Sequence, residues 1–220
     1  MTTSALTNYP VRDDILQART YAWQRLAGPG ACFTGTQRVA LAELARAARA
    51  QRDQPPWLRA LPEVEVEIAP EAQELAIAIA ADVHKIDRAW AHRIIDVIGD
   101  SAYVEIVGIL AFTTAADAFA EALGIDHEPL PLPLPGKPDG QRPDTLADIG
   151  AHVVMTDPFT GPNVARALSL APGDQMAFFF MVGAMYGAKD FNTLVWDRPL
   201  SRPQVELVAA RVSSINECFY

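Results

Sequence analysis

Six prolines within residues 126–145 limit the fold more than any other feature of this sequence. Proline lacks an amide N–H and fixes φ, so this segment cannot be helical, and its alternation with leucine predicts an extended, polyproline-like strap. Leu130, Leu132 and Leu134 are too apolar for a freely solvated linker, so we expect the strap to lie along the protein or along a partner subunit. The strap (residues 126–145) joins an N-terminal half, residues 1–125, to a C-terminal half, residues 146–220, within one compact unit.

Helix start and stop signals dominate both halves. Caps, prolines and glycines predict helices at about residues 13–26, 37–51, 70–83, 87–98, 103–123, 164–170, 174–188 and 203–214. In the second helix, Leu41 and Leu44 indicate the buried side, and Arg38, Arg46 and Arg49 the solvated side. No alternating run longer than residues 64–68 favours a strand. The sequence therefore predicts an all-α fold without a sheet.

The helix predicted at residues 174–188 is apolar nearly all round, a pattern typical of a core helix or a subunit interface. A loose internal repeat appears when residues 34–37 (TGTQ) are aligned with residues 201–204 (SRPQ), because an Ala- and Arg-rich helix follows each. In this register Cys218 falls opposite Gln51. The alignment suggests a duplicated half.

Charge and composition exclude several partners. The formal net charge is −9 and no run of Lys and Arg occurs, so nucleic acid is not an expected partner. Residues 1–15 lack the pattern of a signal peptide, and the longest apolar stretches are interrupted or short, which favours a cytoplasmic protein outside the membrane. Cys32, after the Gly28-Pro29-Gly30 loop, is predicted to be inert packing.

Glu206 and Cys218, 12 residues apart (218 − 206 = 12), are the most informative residues. Ser213, Ser214 and Asn216 favour caps, so we expect one helix to end near Ser214 and another to begin with Cys218 in its first turn. That position lowers the pKa of a thiol. On one continuous helix the two side chains would lie about 120° apart, so the break is needed for the carboxylate to face the sulfur.

This pair resembles the motif of the alkylhydroperoxidase D and carboxymuconolactone decarboxylase superfamily. In the peroxidase branch, a glutamate and an interval precede Cys-x-x-Cys-x-x-x-His, whose cysteines cycle between dithiol and disulfide while the glutamate and histidine relay protons. Glu206 matches the glutamate and Cys218 the first cysteine, which places the second cysteine at position 221 and the histidine at 225. Residues 103–108 (YVEIVG), the strap and residues 162–169 (PNVARALS) also resemble two-part, alkylhydroperoxidase-related members.

The resemblance implies an alkylhydroperoxidase D-like helical bundle that forms a homo-oligomer and needs no cofactor. Its expected activity is thiol- or selenol-dependent reduction of an organic hydroperoxide by a thiol reductant. Because the sequence stops at Tyr220, we expect position 221 to be selenocysteine, with its UGA codon read as a stop, and the chain as it stands to be inactive. A truncation is the alternative explanation.

Two other functions stay open. The first is a decarboxylase or hydrolase of the carboxymuconolactone type, which would use acid and base residues without redox cysteines. The second is a non-catalytic oligomeric scaffold, which would use no catalytic residues. In these cases Cys218 is a packing residue and Glu206 a surface acid. A possible pocket combines His84, Tyr103 and Glu105, although a glutamate near a helix start is also favoured by the helix dipole. The spacing of the histidines does not resemble a zinc site, so no metal is expected.

Overall fold

Helices form most of the secondary structure of this protein. The computed structural model describes residues 10–161, 163–186 and 199–215. The α-helices are α1 Asp13–Ala27, α2 Gly35–Ala50, α3 Pro70–Ala81, α4 Arg88–Ile98, α5 Asp100–Leu123, α6 Asn163–Arg166, α7 Pro172–Tyr186 and α8 Arg202–Ile215. Short 3₁₀ turns span Pro56–Leu58 and Val83–Lys85, and two-residue strands, β1 Leu146–Ala147 and β2 Met155–Thr156, pair antiparallel. The predicted all-α class is confirmed, and this strand pair is the one departure from it within the described residues.

The core forms around α5, the longest of the described helices. α5 packs against α1, α2, α3, α4 and α7, while α2 lies against α3 and α1 against α7. Fully buried side chains from four of these helices meet there, among them Leu26, Leu41, Leu75, Ile106 and Ile109. Burial of such side chains is the main favourable contribution to folding, roughly 1.5–3 kcal/mol each. The first long helix after the strap, α7, therefore shares one core with the N-terminal helices.

By length and composition alone, α5 could cross a membrane. Half of its most apolar 18-residue stretch is buried inside the protein, however. Its acidic residues Glu105 and Asp117 are also buried, and each pairs with an arginine from α2. These features are typical of the central helix of a water-soluble bundle, which passes the same length and hydropathy test.

Capping explains where two of the helices begin. Thr34 and Gln37 form a reciprocal capping box, in which Gln37 Oε1 accepts from the Thr34 amide at 2.9 Å and Thr34 Oγ1 accepts from the Gln37 amide at 3.3 Å. Thr34 is therefore the N-cap residue of α2. α5 begins at Asp100, whose carboxylate accepts the Ser101 amide at 2.7 Å. Ser101 is thus inside the helix.

The strap follows the end of α1 and the loop before α2, as predicted. The Leu134 amide donates to the Ala27 carbonyl at 2.8 Å, and the Asp139 amide donates to the Gly30 carbonyl at 3.1 Å. A Cβ at Gly35 would lie 2.1 Å from the Ala27 carbonyl oxygen and 2.8 Å from that of Leu134, so glycine is required for this close approach. Of the strap leucines, Leu130 packs against the core, whereas Leu132 and Leu134 are exposed.

The two last long helices begin within two residues of their predicted starts. α7 begins at Pro172 and turns Ala177, Met181 and Ala184 into the core; residues 187 and 188 of the predicted helix lie outside the described residues. α8 ends at Ile215 within the described residues, one residue past the end predicted near Ser214, and the second helix expected to begin at Cys218 lies outside the described residues. Neither Ser213 nor Ser214 is buried, and a solvent-facing serine is compatible with a helix interior.

Candidate functional site

Three fully buried charged side chains from α2, α5 and α7 meet in the core. Arg38, Glu105 and Asp174 have no exposed side-chain area. The Arg38 guanidinium donates to a Glu105 oxygen and to both Asp174 oxygens. At the edge of this group, Arg25 Nε donates to Asp174 Oδ1 at 3.2 Å. We call Arg25, Arg38, Glu105 and Asp174 the buried ion cluster. It holds two cations and two anions, as buried charges require.

The position of Arg38 corrects a prediction. The sequence placed Arg38 with Arg46 and Arg49 on a solvated side of α2, but Arg38 is fully buried. The other two side chains are each 18% exposed and pair with Asp117 and Glu121 of α5. Helical periodicity treats every arginine as a surface residue, so it cannot identify one that two distant carboxylates compensate.

Glycines make room for the cluster. A Cβ at Gly30 would lie 1.9 Å from Glu105 Oε1 and 2.3 Å from Arg38 Nη1. A Cβ at Gly108 on α5 would lie 2.9 Å from Asp174 Cβ. These two glycines, one in the Gly-Pro-Gly loop and one inside an apolar helix, were the sequence signal that could have indicated a crowded site here.

The cluster also holds the loop that carries Cys32. The Cys32 amide donates to Glu105 Oε2 at 2.7 Å. Burial, together with the charges of Glu105 and Asp100, raises the pKa of the Cys32 thiol to about 11. Because the thiolate is the reactive form, this raised pKa favours the less reactive thiol at neutral pH, and the inertness of Cys32 stays a prediction.

The properties of the cluster fit a structural ion-pair network better than a reaction centre. Burial raises the pKa of Glu105, while the Arg38 guanidinium beside it acts in the opposite direction. Arg38 Nε is buried without a hydrogen-bond partner among the described residues. Since Arg38, Glu105 and Asp174 are closed off from solvent, a dissolved substrate cannot reach them. The ion pairs of the cluster connect α1, α2, α5 and α7.

The pocket predicted from His84, Tyr103 and Glu105 is not assembled in the described structure. His84 lies exposed in the 3₁₀ turn Val83–Lys85, and neither buried residue of α5 forms a hydrogen bond with it. Tyr103 and Glu105 are two residues apart on one helix, so their side chains point about 160° apart. Glu105 instead faces Arg38, and burial raises the pKa of Tyr103.

Glu206, the first residue of the predicted redox pair, lies on the surface of α8. Its side chain is 46% exposed, and its Oε1 accepts from Arg202 Nε at 3.3 Å, one helical turn earlier. Ser201 and Gln204 cap this helix. Cys218, the second residue of the pair, lies outside the described residues. The structure therefore gives the environment of the carboxylate but not that of the sulfur.

An open polar pocket of about 590 Å³ lies between α2, α5 and the start of the strap. Arg46 binds both oxygens of Asp117 at 2.8 and 2.6 Å, and Arg49 binds both oxygens of Glu121 at 2.9 Å. His127 Nε2 lies 3.0 Å from Glu121 Oε1. Arg52, Glu43 and Asp53 also line this pocket, so its carboxylates outnumber its arginines and it offers no excess positive charge to an anion. Among the described residues no group of three or more potential ligands could hold a metal ion.

Comparison with known proteins adds no relative: no family model, curated protein or solved structure matches this chain significantly.

Proposed function

We propose that this chain takes part in thiol-dependent reduction of organic hydroperoxides in the cytoplasm, with Cys218 as the nucleophile and Glu206 as the proton acceptor. The observation that carries the proposal is the interval of 12 residues between them (218 − 206 = 12), taken with an accessible Glu206 carboxylate on α8. In the motif that this pair resembles, the second redox residue and the histidine correspond to positions 221 and 225.

The proposed reaction balances without a cofactor. Glu206 accepts the proton of the Cys218 thiol, and the resulting thiolate attacks one peroxide oxygen. The O–O bond breaks, the alkoxide leaves and takes up a proton to become an alcohol, and the sulfur, oxidised by two electrons, becomes a sulfenic acid. A thiol reductant then condenses with the sulfenic acid, releases water and forms a disulfide. A second thiol reduces that disulfide and restores Cys218.

The surface position of Glu206 supports this role. A general base must reach the proton that it removes, directly or through one water, and a buried, fully paired carboxylate such as Asp174 could not do so. Arg202 limits the directions in which the exposed Glu206 side chain can point, through the contact at 3.3 Å.

The test compares the oxidation rates of the two native thiols. Cumene hydroperoxide is mixed with the protein, and the sulfenic acid formed at each cysteine is trapped and quantified by mass spectrometry. We expect Cys218 to be oxidised faster than free cysteine and Cys32 to stay unmodified, because its raised pKa of about 11 keeps it protonated. Cys32 is therefore an internal control within each sample.

Variants identify the roles. Glu206→Gln should slow Cys218 oxidation by about 100-fold, the usual loss on removal of a general base, whereas Glu63→Gln, at another exposed position, should leave the rate unchanged. A chain extended with Cys at 221 and His at 225 should turn over with a thiol reductant. Oxidation of Cys218 no faster than that of free cysteine, or equal turnover with and without the extension, would contradict the proposal.

A further inference from the structure

The loop between β1 and β2 lies against the start of α4. It spans residues 148–154, and we call it the hairpin loop. Arg88, the first residue of α4, donates from Nη2 to the Gly150 carbonyl at 2.9 Å. One turn later on the same helix face, the His92 ring contacts that of His152, with centroids 6.1 Å apart and ring planes at 78°. A guanidinium and a pair of imidazoles therefore join the hairpin loop to α4.

The charge at this contact depends on pH. A histidine ordinarily has a pKa of about 6.5 and changes charge near neutral pH, whereas an arginine stays protonated throughout. With both imidazoles neutral, Arg88 is the one cation at the contact and is bound to loop carbonyls. With both imidazoles protonated, three positive charges lie close together and repel one another. Acid should therefore weaken the contact.

No carboxylate compensates these charges within the described residues. Burial is the main cause that lowers the pKa of His152, and the charges of Arg88 and His92 lower it further. The carboxylates closest to the contact in sequence, which pair with neither histidine, are Asp87, Asp96 and Asp148. Two of them accept backbone amides of their own segments, at 2.8 Å each. The contact is thus formed by basic groups alone.

We propose that the contact between the hairpin loop and α4 is pH-sensitive: the loop is held on α4 when both imidazoles are neutral and leaves it when both are protonated. Because the pKa of His152 is lowered in the folded protein, the closed contact binds protons less readily than the open loop. The contact is therefore fully stable above a pH of about 6.5 and weakens as pH falls below that value. The inference goes beyond the proposed peroxide reduction and does not depend on it.

Contacts on the other side of the loop confine the opening. Val153 and Val154 pack against the core, and the Thr156 amide donates to Ser169 Oγ at 3.1 Å. None of these groups changes charge between neutral and mildly acidic pH. We therefore expect a local opening of the hairpin loop, with the helical core unchanged.

The first test measures the pKa values of the histidines in the full chain. The imidazole resonances are followed by NMR from about pH 8 to about pH 5, the range in which histidine titrates. We expect His152 to titrate below about 6.5 and its pKa to rise in His92→Gln, because one of the charges that lower it is gone. A pKa of His152 at or above the ordinary value would overturn the proposal.

The second test follows the contact itself. Nuclear Overhauser effects between the hairpin loop and α4 are compared at about pH 7.5 and about pH 5, on either side of the ordinary histidine pKa. In the native chain they should weaken at least about threefold at the lower pH, while those between α1 and α5 stay constant. His152→Phe keeps a ring against His92 but cannot be protonated, so its effects should be equal at both pH values.

His84→Gln is the matched control. His84 is exposed in the turn Val83–Lys85 and forms no ring contact in the described part of the chain, so this variant should lose the loop contact with pH as the native chain does. Equal losses in the native chain and His152→Phe would overturn the proposal. So would a loss that includes the α1–α5 effects, because it would show general acid unfolding.

Discussion

α2 and α8 begin in the same way and end in different surroundings. At the start of α2, Gln37 Oε1 accepts from the Thr34 amide at 2.9 Å and from its hydroxyl at 3.0 Å; at the start of α8, Gln204 makes the same contacts with Ser201 at 2.8 and 3.0 Å. Yet α2 buries the side that follows, and α8 buries nothing. Local sequence thus determines that a helix forms and where it begins, whereas distant partners determine whether it is buried.

The first position of the packing face shows the difference most clearly. In α2 it is Arg38, a buried cation that needs carboxylates from α5 and α7. In α8 the aligned position is Val205, which needs only an apolar neighbour. Charge therefore helps to hold α7 of the C-terminal half against the helices of the N-terminal half, whereas α8 has no buried residue.

The largest effect in this comparison is expected from removal of the α2 cation. Arg38→Met leaves Glu105 and Asp174 buried with only Arg25 nearby, so the free energy of unfolding should fall by about 3–5 kcal/mol, as for a broken buried ion pair. Arg49→Met on the same helix removes a pair whose acid, Glu121, is 47% exposed, and should cost less than about 1 kcal/mol. Urea unfolding followed by circular dichroism measures both. Similar losses in the two variants would mean that the buried cluster contributes no more than a surface pair.

A smaller effect is expected from crowding the same cluster. Gly30→Ala would bring a methyl group within 2 Å of Glu105 Oε1, and although a carboxylate end can usually move aside, this one is fixed by Arg38. We expect the free energy of unfolding to fall by about 1–3 kcal/mol, the range for overpacked cores.

Gly28→Ala is the matched control. The nearest neighbour of the added methyl group would be the Gln24 carbonyl oxygen at 3.7 Å, and φ of Gly28 is −83°, so stability should stay the same or rise slightly. Thermal unfolding of the pair decides the matter, and an unchanged midpoint for Gly30→Ala would show that the cluster can rearrange.

Features that depend on neighbouring residues could be predicted from the sequence. The loop at Gly28 and Gly30, the left-handed residue after α5, Gly124 at φ +67°, and the extended strap follow from the local chemistry of glycine and proline. The helix boundaries of α1 and α4 were also predicted within about two residues. These features need no knowledge of the rest of the chain.

Features that depend on distant residues could not be predicted. Arg38 and Asp174 are 136 residues apart, and nothing in the periodicity of α2 or α7 indicates that they meet. Of the candidate site, the sequence identified Glu206 as notable but could not show its partner, Arg202.

The smallest effect concerns the caps themselves and tests whether α2 and α8 differ in consequence as well as in environment. Thr34→Ala removes the hydroxyl that accepts the Gln37 amide and should destabilise the whole fold by about 1 kcal/mol, because α2 cannot fray without exposing the core. Ser201→Ala removes a hydroxyl that donates to Gln204 Oε1 at 3.0 Å, on a helix with no buried residue. Global unfolding should therefore not change, and only amide exchange in the first turn of α8 should become faster. Hydrogen exchange and urea unfolding of the two variants, recorded at low protein concentration, separate local from global loss. Equal global losses would show that α8 is part of the cooperative core, in conflict with its lack of buried residues.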